Sequence, residues 1–293
     1  MFMHHAMLVS MHCLFVSDLH GSTLKYNKLI SYIKKNKPDA VFFGGDLLPM
    51  CLPPSVSNMK SFISETITRP LQQIKQILPD IHFFVILGND DPRVYESFFK
   101  QADADNIIDY VHQKTVPLND FYVTGYAFVP PTPFQLKDWE RYDVSRFVDV
   151  GAISPEDGTR TVPVDRNKLC YATIQKDLNR LVKNAPVDKT IFLFHSPPYN
   201  TVLDLADLAG KTIDHAPVDD HIGSIAIKRF IEKYQPFLTL HGHVHESSLL
   251  TGKWQQRIGE TLSFSAAFTN DKLAVVAFDT NNLRDATRHL ICI

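Results

Sequence analysis

The sequence predicts an α/β protein with a parallel sheet and helices outside it, and three observations carry that prediction. Short apolar runs alternate with helix-patterned stretches in the order βαβαβ over the first hundred or so residues. Each of the first three apolar runs ends in a polar cluster, as expected where a parallel sheet gathers ligands at the carboxyl ends of its strands. The second half of the chain repeats the trend, with two further apolar runs that each end in histidine.

Taken in order, Cys13-Leu14-Phe15-Val16 reads as a buried strand ending at Ser17-Asp18-Leu19-His20-Gly21. Residues 22–36 read as a helix, with Leu24, Leu29, Ile30 and Ile33 at three- and four-residue steps. Ala40-Val41-Phe42-Phe43 is the second strand and ends at Gly44-Gly45-Asp46. A helical region over roughly 55–78 spaces Ile63, Ile67, Leu71, Ile74 and Ile77/Leu78 for one face. Ile81 to Leu87 is the third strand, ending at Gly88-Asn89-Asp90-Asp91-Pro92, and a short helix spans about 93–103. Thr190 to Phe194 is a strand ending at His195, residues 224–235 are a helix, and Phe237 to Leu240 is a strand ending at His241-Gly242-His243-Val244-His245. Thr261–Phe268 and Lys272–Asp279 are expected to pair as an antiparallel hairpin around Asn270-Asp271. Residues 130–166 and 196–222 fit no regular element; loops of this length are lids, substrate-binding segments or disordered.

The chain has 293 residues, 44% hydrophobic and 21% charged, enough to bury a large core without disulfides. Thirty basic against thirty-two acidic side chains give a formal charge of −2, which disfavours a nucleic-acid-coating surface. No stretch approaches the ~20 apolar residues of a membrane span. Residues 1–11, with His4 and His5, lack an apolar signal core and are expected to be a disordered leader; residues 12–293 are expected to form one domain. Cys13, Cys51, Cys170 and Cys292 are scattered and form no C-x-x-C pair, a pattern of reduced thiols that points to the cytoplasm, with Cys13 in the core.

Taken singly, each polar cluster has a structural explanation. An Asp-x-His after a strand can be a capping aspartate beside a surface histidine, and Gly-Gly-Asp can be a tight turn. Together, five successive strand ends deliver Asp18, His20, Asp46, Asn89, His195, His243 and His245. Imidazoles and carboxylates gathered at one rim suit borderline divalent ions, and seven ligands exceed what one zinc ion needs. The i,i+2 spacing of His243 and His245 in an extended segment would point both rings to one side. No nucleophile elbow surrounds Ser196, and no Lys-Ser/Thr follows Gly44-Gly45 to make a phosphate loop.

The order Asp18-x-His20, Gly45-Asp46, Gly88-Asn89, His195, Gly242-His243-x-His245 resembles the calcineurin-like metallophosphoesterase superfamily over residues 12–280 or so. The resemblance implies a four-layer α/β/β/α sandwich of two mixed β-sheets. It implies two divalent ions (Mn²⁺, Fe²⁺, Zn²⁺, Ni²⁺ or Mg²⁺), one held by Asp18, His20 and His245, the other by Asn89, His195 and His243, with Asp46 bridging. Such a pair, ~3.5–4 Å apart, shares a bridging water, lowers its pKa and clamps the phosphoryl oxygens during in-line displacement on a small phosphoester.

The family often has Gly-Asn-His-Asp/Glu at its third motif, where the His assists the leaving group; here Asp90 stands in that place. His221 is a candidate for supplying the proton from across the cleft, or is simply an exposed loop histidine. Ser224 is a helix cap, and as a helix start it is also a candidate phosphate contact. Tyr199 and Asn200 either touch substrate or stabilise the Pro197-Pro198 turn. His241 is a candidate core histidine, one that supports the ligands from behind, or a ligand itself. Trp139, Tyr142 and Phe147 either stack a base or form the core of their own loop. Two other functions stay open: a scaffold that keeps the fold without turnover, and a nuclease, which salt-dependent DNA binding would reveal. The oligomeric state is not legible.

Overall fold

The computed structural model describes residues 10–49, 56–269 and 271–293, so the expectations for His4, His5, Cys51 and Asn270 lie outside the described residues. The strands in chain order are β1 (His12–Val16), β2 (Ala40–Gly44), β3 (His82–Ile86), β4 (Asp109–Tyr110), β5 (Thr115–Leu118), β6 (Phe121–Tyr126), β7 (Thr190–Phe194), β8 (Thr212–Ile213), β9 (Ala216–Pro217), β10 (Leu238–His241), β11 (Gln255–Ile258), β12 (Thr261–Ser265), β13 (Lys272–Asp279) and β14 (Asn282–Cys292). The helices are α1 (Thr23–Asn36), α2 (Val56–Phe62), α3 (Arg69–Ile77), α4 (Glu96–Ala104), α5 (Arg166–Tyr171), α6 (Ile174–Leu181), α7 (Ile225–Tyr234) and α8 (Ser247–Thr251).

Two six-stranded mixed sheets form the molecule's centre, in the orders β14-β13-β1-β2-β3-β4 and β11-β12-β10-β7-β6-β5. Within the first, β1, β2, β3 and β4 run parallel; within the second, β6, β7, β10 and β12 do. The parallel centres are legible in the sequence because their strands are buried along nearly their whole length: β2 and β7 are buried at every position. Helices complete an α/β/β/α sandwich. Each fully buried Phe or Leu of the core contributes about 1.5–3 kcal/mol, and the core takes in Phe15, Phe42, Phe83, Phe84, Phe192 and Phe194.

α1 starts where Ser22 accepts a hydrogen bond from the Lys25 N–H (3.3 Å) and buries Tyr26, Leu29 and Ile33; Leu24 is exposed. The helical region expected over 55–78 is α2 and α3 joined by a π-helical stretch, Ile63–Thr68; Ile63, Ile67, Leu71 and Ile74 are buried as expected, and Ile77 is exposed.

The expected hairpin between 261–268 and 272–279 is not formed. β12 pairs with β10 and β11, whereas β13 pairs with β1 and β14, so the chain crosses from one sheet to the other between them. Local alternation and an Asn-Asp pair suit a hairpin, but both strands are filled by partners distant in sequence. The true hairpin of β13 is with β14, one turn later.

Trp139 and Tyr142 are buried, and the Trp139 indole N–H donates to the Asp91 carbonyl (2.7 Å); Phe147 is exposed. The 130–166 stretch is anchored by a fully buried pair, Lys137 and Glu140 (2.5 Å), with Glu140 also accepting from the Thr132 N–H (2.8 Å). Cys13 is buried in β1, and its thiol is free.

Candidate metal centre

The carboxyl ends of β1, β2, β3, β7 and β10 meet at one rim, and hydrogen bonds between the loops fix their register. Asp18 N–H donates to the Gly45 carbonyl (3.0 Å), His20 N–H to that of Asp46 (2.8 Å) and Gly242 N–H to that of His195 (2.9 Å). Asp18, His20, Asp46 and His243 all hold left-handed backbone, with φ of 58°, 43°, 53° and 75°. Such conformations are costly for non-glycine residues and persist where surrounding structure over-determines them. The left-handed His243 corrects the expectation of an extended segment: β10 ends at His241, and a turn, not strand alternation, directs the two rings.

Glycine makes the approach possible. A Cβ on Gly45 would lie 2.6 Å from His195 Nδ1, and one on Gly88 2.6 Å from its Cε1, so the His195 ring fills the space both leave. A Cβ on Gly242 would stand 2.1 Å from Ser17 Oγ.

The structure brings all seven expected ligands together. Donor atoms of Asp18, His20, Asp46 and His245 lie within 4.8 Å of one another, as do those of Asp46, His195 and His243. Asn89 Oδ1 sits 2.9 Å from His195 Nε2, which joins it to the second group. Asp46 belongs to both.

The hydrogen-bond chemistry tests whether these residues fit cations. The Gly44 carbonyl, 2.7 Å from His195 Nδ1, can only accept, so that nitrogen carries its proton. The Asn89 amide nitrogen donates to Asp90 Oδ1 (2.8 Å), which turns its oxygen toward His195. His195 Nε2 therefore faces two acceptors, Asn89 Oδ1 and, at 3.2 Å, Asp46 Oδ2. Only a proton or a cation between them relieves that arrangement. Likewise His20 and His245 present Nε2 to Nε2 at 3.0 Å, and the buried His20 Nδ1 has no hydrogen-bond partner. Two carboxylates, four imidazoles and an amide oxygen fit a pair of borderline divalent ions.

Without ions the charges sort themselves. Burial opposes it, but the Asp46 charge and hydrogen bond push His195 up to about 10. Burial pushes His243 down to about 3, helped by the charge on His195. Against burial, the hydrogen bond from His245 and the nearby histidines hold Asp18 well below the ordinary carboxylate range. Burial and the neighbouring Asp46 push Asp90 up to about 7.

Asp91 carries no signal in the sequence beyond its place in the motif. It is fully buried, accepts from the N–H groups of Leu47 (2.9 Å), Leu48 (2.7 Å) and Gly88 (2.9 Å), and so ties the Asp46 loop to the Asn89 loop.

A cavity of about 720 Å³ opens from this rim; Asp46, Asn89, Asp90, His243 and His245 form part of its wall, and His221 lies on it too. His221 Nδ1 is held at 2.9 Å by Asp204, itself fully buried. Tyr199, Asn200 and Ser224 are not among the lining residues. The Tyr199 hydroxyl donates to Asp219 (2.7 Å), and the Asn200 N–H to Asp204 (2.9 Å) in a turn. Ser224 is fully buried: its hydroxyl accepts from Ile227 N–H (3.0 Å) and donates to Asp143 (2.6 Å), and the Asp143 carboxylate accepts from Ile225 N–H (2.7 Å). The anion expected at the start of α7 is therefore the chain's own Asp143. His241 is a core histidine, bonded to the Ser196 carbonyl (2.9 Å) and Thr239 Oγ1 (2.8 Å).

Among known proteins, an uncharacterised protein of Methanocaldococcus jannaschii is 32% identical over 120 residues, which is 40% of this chain and 45% of that one, so the chain spans under half the length of the curated relative it matches. The crystal structure of TT1561 of Thermus thermophilus is similar with a TM-score of 0.56 at 15% identity, covering 96% of this chain and 99% of that one. A further solved chain gives 0.58 at 14% identity, with 97% and 100% covered. These likenesses are of fold. The model of the calcineurin-like phosphoesterase family matches residues 11–247, which include all seven candidate ligands of the rim, and the chain belongs to that family.

Proposed function

We propose that the protein is a dinuclear metal-dependent phosphoester hydrolase that favours monoanionic diesters and activated phosphates. The observation that carries this reading is the pair of donor groups sharing Asp46 at the floor of the cavity. Two divalent ions held there would activate a water and neutralise charge on the phosphoryl oxygens.

The chain's own residues prepare the site for that chemistry. Gly44 fixes the His195 tautomer, and His243 N–H donates to Asp18 Oδ1 (3.0 Å), which orients that carboxylate. Asn89 would offer an ion held there an oxygen without charge, and so neutralise less of its charge than a carboxylate would. Asp90, Asp149, Asp219 and Glu246 line the cavity, a negative surround that disfavours dianionic monoesters. Asp204 holds His221 on the cavity wall, which makes His221 the alternative proton donor if departure of the leaving group proves to be assisted. The complete ligand set favours turnover over a non-catalytic scaffold.

The test is a panel of monoesters, diesters and nucleic acids assayed with Mn²⁺, Mg²⁺, Zn²⁺, Ni²⁺ and Fe²⁺, with metal analysis of the isolated protein. The reading expects metal-dependent hydrolysis with diesters ahead of monoesters. Absence of turnover with every metal, in protein shown to bind two ions, would favour the scaffold.

A further inference from the structure

Beyond the metal rim the cavity widens between two loops, residues 130–134 and 149–152 on one side and 206–223 on the other. The loops meet overhead: Ile213 Cδ1 lies 2.4 Å from where a Cβ on Gly151 would be, so the missing side chain seats the isoleucine. The wall there is aliphatic, with Val150, Leu208, Ile213, Val218 and Ile222, and among the described residues Phe134 is its one aromatic side chain besides the histidines. Phe134, Val150 and Ile213 are exposed large hydrophobics, and the 720 Å³ volume falls within the range of ligand pockets.

The charge in this chamber is negative. Asp149 and Asp219, one from each loop, are near enough that burial and Asp219 together raise the Asp149 carboxyl. The one lysine or arginine among the described wall residues is Lys211, whose ammonium donates to the Asp207 carbonyl (2.7 Å). Polyphosphates are recognised by clustered arginine and lysine, and bases by stacked aromatic rings; the described wall has a single lysine and a single phenyl ring, with no cluster of either.

We propose that the chamber binds the aliphatic substituent of a monoanionic phosphodiester whose phosphate lies on the metal rim. The proposal rests on the phosphoester reading above and names the substrate class for it. The loops 130–152 and 206–223 are then the specificity elements.

The test uses p-nitrophenyl alkyl phosphodiesters from methyl to octyl on the metal-loaded protein. Each methylene buried should raise kcat/KM about two- to fourfold until the chamber is full. Ile213→Asp and Val150→Asp, on exposed positions, should each lower the octyl-to-methyl ratio at least tenfold. A second readout needs no turnover: dialkyl phosphates should bind more tightly, and with a more negative heat capacity change, as the chain lengthens, in the wild type but not in Ile213→Asp. Good methyl-ester turnover with a flat series would overturn this proposal and leave the hydrolase reading standing. No methyl-ester turnover, with chain-length-dependent binding intact, would do the reverse.

Discussion

Asp90 sits where related enzymes often place a histidine, and its chemistry depends on what surrounds it. Its N–H donates to Asp46 Oδ1 (2.8 Å), and its carboxylate lies 3.7 Å from His20 Nδ1. In the metal-free protein burial and Asp46 push it up to about 7; two dications beside it would favour the charged form. With ions bound it is then ionised and a poor proton donor, a deficit of about 10²–10⁴-fold for poor leaving groups. Esters with acidic leaving groups suffer least. Asp90→His should raise turnover of alkyl esters more than that of p-nitrophenyl esters. Rates independent of leaving-group pKa in the wild type, with no selective gain in the variant, would instead assign proton donation to His221. The candidate ligands were readable because all seven follow the ends of five strands within a few residues. Asp91 and Asp204 were not: Asp91 accepts the N–H of Leu47 and Asp204 that of Gly223, from segments that the fold, not the sequence, brings near.

At the scale of elements, strands and helices with a strong local pattern were legible, and pairing was not. β7 and α7 lie where the apolar runs place them. The β12–β13 error arose because alternation specifies a strand but not its partner. The cap of α7 was half-read: Ser224 is visible from sequence, whereas Asp143 reaches the same turn from 81 residues away. The cavity wall at 130–134 depends on Lys137 and Glu140, both fully buried side chains; burial pushes Glu140 up to about 7 against the pull of Lys137. Glu140→Ala strands that ammonium and should cost about 3–5 kcal/mol. Urea unfolding measures it, and a loss below ~1 kcal/mol would mean the pair does not anchor the wall.

For the whole molecule, joining two sheets at one rim concentrates buried histidines, and stability becomes pH-dependent. Burial lowers His241 to about 4, partly offset by its bond to Ser196. An ordinary histidine titrates near ~6.5, so the unfolded chain takes up the proton first. Stability from this group is complete above about pH 6.5 and falls as pH drops toward 4. Asp90 and Asp91, both raised to about 7, act in the opposite direction over that range. The comparison with His241→Gln isolates the histidine: from pH 7 to pH 4 the metal-free wild type should lose about 3 kcal/mol more than the variant. Equal losses would contradict a neutral buried imidazole.

The sharing of Asp46 between two donor groups is the centre of the account. Its most direct test is calorimetric titration of the metal-free protein and of Asp46→Asn with Mn²⁺, with diester turnover followed at each addition. The wild type should bind two ions per chain and gain activity with the second. The variant should keep its fold, lose at least one of the two ions and fall by several orders of magnitude in turnover. Full activity at one ion per chain, or wild-type turnover in Asp46→Asn with both ions bound, would contradict a dinuclear centre bridged by Asp46.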